Sequence, residues 1–143
     1  MNMTRDREPL GLLAGRPWWM NCMLGLCLFA TFAFMPWNVF VRPSGDMVDV
    51  WFGFEFTGVA ARFTAILHWV VYAVGAWGFY RMRSWMWPWA AVYMAQVAVG
   101  HIVWSELSAN GRGLTVGIVQ AAVLSIPAVM LFASGDYFLR SRR

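Results

Sequence analysis

Four long apolar runs separated by short breaks constrain this chain more than any other feature. They occupy residues 18–41, 58–80, 85–104 and 114–133. About 20 apolar residues in helical conformation cover the hydrocarbon thickness of a bilayer, and each run reaches that length. Water is a poor solvent for such a chain. Hydrophobic residues make up 60% of it and charged residues 13%, against about 25% charged in a typical soluble domain. A soluble fold of this size has too little interior to hide the excess. The sequence therefore predicts an all-α polytopic membrane protein, a four-helix transmembrane bundle built as one domain over residues 1–143. A water-soluble enzyme, a disordered chain and a disulfide-stapled secreted module do not fit these figures.

The breaks differ in character. Arg81-Met82-Arg83-Ser84 is short enough to make the second and third runs an antiparallel hairpin. Residues 105–113, SELSANGRG, read as a polar turn. Residues 42–57 are longer and mixed, and within them 48–56 alternate imperfectly between apolar and polar. This stretch reads as an interfacial segment, either a short strand or a helix lying on the membrane. Pro36 is expected to kink or end the first helix. Pro88 falls in a first turn, where its missing N–H costs little. Pro127 is expected to bend the fourth helix. The first run is too long for a typical signal-peptide core and is read as a retained span.

All eleven basic residues are Arg. Arg5, Arg7, Arg16, Arg81, Arg83, Arg140, Arg142 and Arg143 fall on one side of a four-span arrangement. Arg42 and Arg112 fall on the other, and Arg62 lies inside the second run. Excess Arg marks the cytoplasmic side, so both termini are expected there, in a bacterial inner membrane. The high pI follows from the same asymmetry and is no nucleic-acid signal, because no basic stripe interleaves with aromatics. Most of the ten Trp cluster at the run boundaries, as an aromatic belt at the headgroups would place them. Cys22 and Cys27 lie about 140° apart on a helix, which does not suit an intramolecular disulfide.

An ionisable or amide side chain within hydrocarbon is costly and marks where function would show. Arg62 lies one turn inside the second run, and Glu55, seven residues earlier, would share its face if the helix extended back that far. His68 sits mid-run on a face with Ala61, Thr64, Ala65, Tyr72 and Gly75. It is expected to point into the bundle, as a neutral imidazole bonded to a Thr, Tyr or Gln. His101 lies near the outer end of the third run. Gln96 and Gln120 are the deep amides, Gln120 being placed to bond a neighbouring helix or a carbonyl near Pro127. Arg62, His68, Gln96, His101, Glu106 and Gln120 would form a polar constellation if all their faces turned inward. Two His without a supporting carboxylate motif do not specify a metal. No nucleophile motif, phosphate loop, zinc signature or dinucleotide fingerprint is present, so no cofactor and no catalytic residue is assigned.

Three functions remain at this stage. The first is a non-catalytic accessory or interaction subunit whose partners are the bilayer and another membrane protein or a second copy of itself. The second is a small-solute or proton transporter using Arg62 and His68. The third is a haem- or quinone-binding redox subunit using His68 and His101.

Overall fold

The computed structural model describes residues 15–139. Four long helices carry the architecture. Helix α1 is Trp18–Val41, α2 is Gly58–Arg81, α3 is Met86–Leu107 and α4 is Leu114–Ala133. A short α5, Gly135–Leu139, follows. Between α1 and α2 lie a 3-10 turn, Ser44–Asp46, and a two-stranded antiparallel hairpin of β1, Val48–Trp51, and β2, Phe54–Thr57. By length and composition α1, α2 and α4 are apolar enough to cross a membrane. Helix α3 is of similar length, 22 residues, but its Trp and Tyr residues, with Gln96 and His101, lower its apolarity.

The helices associate as two pairs, α1 with α2 and α3 with α4. The α3–α4 seam is built from small residues. Ala91, Ala98 and Ser105 on α3 and Gly117, Ala121 and Ala128 on α4 are all buried. A Cβ on Gly117 would stand 2.8 Å from Ser105 Cβ and 3.1 Å from Ile102 Cα, so the backbones meet there. Small residues on both helices permit this close approach. In the other pair, Ala61 and Ala65 of α2 pack on Met35, Val39 and Met47.

The expected α2–α3 hairpin is realised at one end only. Met82, with φ 47°, reverses the chain, and the Arg83 N–H donates to Gly78 O at 3.0 Å, as in a Schellman turn. A Cβ on Gly78 would collide with Met86. Around this corner Met20, Leu24, Ala76, Phe79, Met86, Ala91, Leu131 and Phe138 form one core. Hence the start of α1, the end of α2, the start of α3 and the end of α4 share one end of the molecule, called proximal below. Toward the distal end α2 and α3 part, and the β-hairpin fills the gap. It contacts α2 through both strands and α3 through β2.

The two prolines in the first and fourth helices are absorbed without a break. In α1 the backbone widens to π-helical turns at Ala30–Phe34 and Trp37–Val41. These flank Pro36 and ease the clash that its ring makes with a tight i−4 carbonyl. Helix α4 runs unbroken through Pro127. At α3, the Trp87–Pro88 peptide is cis and Trp87 is non-helical, so the regular helix starts at Pro88.

A pocket built by the hairpin

The segment 48–56 folds as a strand pair rather than an interfacial helix. Phe52 and Gly53 both have positive φ, 52° and 88°, the signature of a two-residue turn whose twist matches its strands. Gly is required at the second position for a second reason. A Cβ there would lie 2.4 Å from Val103 Cβ and 2.8 Å from Gly100 O, so the turn rests directly on the α3 backbone. Alternation in a strand sends neighbouring side chains to opposite faces. Asp49 and Trp51 therefore point one way and Glu55 the other, and each face serves a different helix.

The first face meets His68 of α2. Both Asp49 carboxylate oxygens approach His68 Nδ1, at 3.0 and 3.1 Å, and the two side chains are 17% and 16% exposed. The Trp51 ring stacks on the imidazole with centroids 4.2 Å apart, and Tyr72 lies on it at 6.2 Å. Trp51 Nε1 donates to Thr64 O at 3.2 Å, which fixes the indole. Burial pushes the Asp49 carboxyl up. Hydrogen bonds from His68 and Thr64, the charge of His68 and the Val50 N–H outweigh that, so it lies below the ordinary aspartate value. Thr64 has one hydroxyl proton, for which the Ala60 and Ala61 carbonyls compete with Asp49. With a carboxylate on Nδ1, the neutral imidazole carries its proton there and leaves the Nε2 lone pair free. Among the described residues Nε2 has no hydrogen-bond partner.

Around this couple lies a half-open pocket of about 150 Å³, lined by Phe34, Met35, Asn38 and Arg42 from α1 and its end, Met47 to Asp49 from the hairpin, and Ala65, His68 and Tyr72 from α2. The π-helical turns deliver the α1 residues. Asn38 Nδ2 donates to Phe34 O at 2.9 Å, and its Oδ1 accepts from Arg42 Nη1 at 3.4 Å.

The second face of the hairpin meets α3. Glu55 Oε2 accepts from Trp104 Nε1 at 3.0 Å and Ser108 Oγ at 2.6 Å, and Oε1 accepts from Asn110 Nδ2 at 3.0 Å. Ser108 first, then Trp104 and Asn110, hold the carboxyl below the usual glutamate range against its desolvation. A Glu55–Arg62 pair is thus not formed. Its premise was a helix continuing back to Glu55, but Thr57 is extended and Gly58 has φ 60°, so the helix starts after Glu55. Arg62 Nη2 instead donates to Arg42 O at 2.9 Å, and its Nε approaches Met47 Sδ at 3.4 Å. It braces two residues of the pocket wall from behind.

The remaining sequence candidates do not join this site. His101 directs Nδ1 to Val97 O of its own helix at 3.0 Å and makes no contact with His68. Glu106 is exposed. Gln120 Oε1 is buried without a partner among the described residues, not bonded to a neighbouring helix or a carbonyl near Pro127. Gln96 lines a separate apolar groove of about 360 Å³ with Phe52, Val92, Ala95, Val99 and Gly100. The six-residue constellation is therefore dispersed. His68 does point inward, but its partner is Asp49 rather than a Thr, Tyr or Gln. Sequence reasoning missed Asp49 and Trp51. The Val48-Asp49-Val50-Trp51 alternation was the available signal, since it puts both on one strand face.

At the proximal end Arg16, 8% exposed, donates from Nε to Asn21 Oδ1 at 2.6 Å and from Nη1 to Phe79 O. It places a cation at the C-terminal turn of α2, where the helix dipole favours one. Burial lowers its pKa. Arg5, Arg7, Arg140, Arg142 and Arg143 lie outside the described residues. Of the ten Trp, Trp51, Trp69, Trp87 and Trp104 donate their N–H to acceptors of this chain. Both cysteines are free. Among the described residues no group of three or more His, Cys, Asp or Glu could hold a metal ion.

The chain matches no family model, no curated protein and no solved structure.

Proposed function

We propose that this protein is a four-span bundle of the bacterial inner membrane, with both termini cytoplasmic, acting as a non-catalytic interaction subunit. Several observations support the reading. The two described chain ends lie at one end of the molecule, as an even number of spans requires. That proximal end carries Arg16, Arg81 and Arg83, the excess expected on the cytoplasmic side. Most of the polar side chains within and between the long helices are spent on holding this chain's own elements together: Arg62 on the pocket wall, Glu55 on α3, Trp69 on Thr31 O and Trp87 on Phe132 O.

The single observation that carries the interaction role is Gln96. It stands near the middle of α3, half-buried, in an apolar groove, with no hydrogen-bond partner among the described residues. In hydrocarbon an unpaired amide costs free energy that a second helix can recover by hydrogen bonding, by about 1–2 kcal/mol in model peptides. The groove flanked by Ala95 and Val99 therefore suits a transmembrane helix presenting a polar side chain.

A photo-crosslinker at Ala95 or Val99 in native membranes tests this. A discrete protein adduct that disappears in Gln96→Leu is expected, and its mass distinguishes a second copy from a different protein. Lipid adducts alone, unchanged by Gln96→Leu, would overturn the reading. Proteolysis of tags fused to the two termini should occur from the cytoplasmic side only.

A further inference from the structure

The pocket around Asp49 and His68 has a composition that helix packing alone does not require. We propose that it binds the hydroxyl-bearing ring of a small quinol or phenol, the ring hydroxyl donating to His68 Nε2 and a second ring oxygen accepting from the Arg42 guanidinium. This goes beyond the interaction role and does not depend on it.

Four features select that ligand class. The first is size: about 150 Å³ is the volume of an engineered protein cavity that takes up benzene, and the open side leaves room for ring substituents. The second is charge. The wall holds one carboxylate, Asp49, and one guanidinium, Arg42, so their charges offset and a neutral ligand is favoured over an ion. Asp49 and His68 are the only His, Cys, Asp or Glu in the wall, short of the three that a metal group would need among the described residues. The third is the presented atom. A histidine whose Nδ1–H is held by a carboxylate has its ring orientation and tautomer set, with the Nε2 lone pair left to accept. That atom then accepts a hydroxyl proton in a hydrogen bond. The fourth is the wall itself. Phe34, Met35 and Ala65 are apolar, whereas Asn38, Arg42, Asp49, His68 and Tyr72 are polar. Ligand sites commonly pair an apolar lining with a few placed polar groups. Local π-helical turns, which frequently mark functional sites, supply Phe34 and Asn38.

A membrane quinol and a water-borne phenol present the same ring chemistry, and the experiment separates them. The chain has two His residues, so imidazole nitrogen-15 NMR of the detergent-solubilised full chain gives a site signal and an internal control. The probes are decylubiquinol, which carries a tail, and hydroquinone, which does not. Saturable shifts of the His68 ring nitrogens with the His101 signals unmoved are expected. His68→Gln should weaken decylubiquinol binding, read by calorimetry, at least tenfold, and Arg42→Gln several-fold. An unmoved His101 spectrum in each variant verifies the fold. Saturation by decylubiquinol alone, or tighter than by hydroquinone, supports a bilayer source. Saturation by hydroquinone at equal or lower concentration supports a water-borne one. No shift at His68 with either probe, or equal shifts at both histidines, overturns the proposal, and the wild-type titration decides this without any variant.

Discussion

Gly53→Ala probes the seating of the hairpin on α3. Two costs add. Gly53 has φ 88°, and a left-handed conformation costs a non-glycine residue about 1–2 kcal/mol. The new Cβ would also lie 2.4 Å from Val103 Cβ and 2.8 Å from Gly100 O. The second neighbour is backbone and cannot rotate away. Overpacking of this kind costs about 1–3 kcal/mol, giving about 2–5 kcal/mol in all. Gly113→Ala is the matched control, because Gly113 has φ 82° but nothing within 4 Å of its would-be Cβ. It carries only backbone strain, about 1–3 kcal/mol. Unfolding by SDS in mixed micelles, followed by near-UV circular dichroism of the Trp residues, measures both. A further Val103→Ala in the Gly53→Ala background removes only the Cγ1 contact at 2.6 Å, so recovery should be partial. If Gly53→Ala is no worse than Gly113→Ala, the turn does not rest on α3 and the account of the parted helices fails.

Further outcomes follow from other contacts. Gly117→Leu, where even a Cβ would meet Ser105 Cβ at 2.8 Å, should separate α3 from α4 and cost at least the roughly 1–3 kcal/mol of overpacking, seen in the same SDS titration. Because the folded Glu55 pKa is depressed, its stabilisation is complete above the ordinary carboxylate value and is lost as pH falls through the lowered one. The melting temperature of the wild type should therefore approach that of Glu55→Gln at acid pH and exceed it at neutral pH; a pH-independent gap would refute the clamp. Arg16→Met removes charge-assisted bonds to Asn21 and Phe79 O, each worth about 1.5–3 kcal/mol. The same SDS titration should then show the variant unfolding earlier than the wild type, and an unchanged midpoint would refute the tie.

The long helices were legible in the sequence because their signal is local: a run of apolar residues needs no knowledge of what it packs on. Run 18–41 coincides with α1, and 58–80 and 114–133 match α2 and α4 to within one residue. The third run, 85–104, stops short of Leu107 because its last turn is polar. The site was far less legible. Asp49 reaches His68 across 19 residues and Glu55 reaches Ser108 across 53, through a chain reversal whose geometry is fixed by the positive φ of Phe52, Gly53 and Gly58. Periodicity places a residue on a face of its own element but does not choose the element opposite. Arg62 shows the same gap. Its place inside an apolar run was evident, but its partner is a backbone carbonyl, which no residue type announces.

The spacer between α2 and α3 sets the width of the distal half of this molecule. Two helix pairs joined at a tight corner behave as a pair of tongs, and what stands between the tips sets how far they open. Trimming Trp51 would loosen the spacer from α2, and releasing Glu55 from Ser108 would loosen it from α3. Val48 and Asp49 face one cleft and Phe52 the other, so a ligand in the first and a helix in the second would rest on the same hairpin.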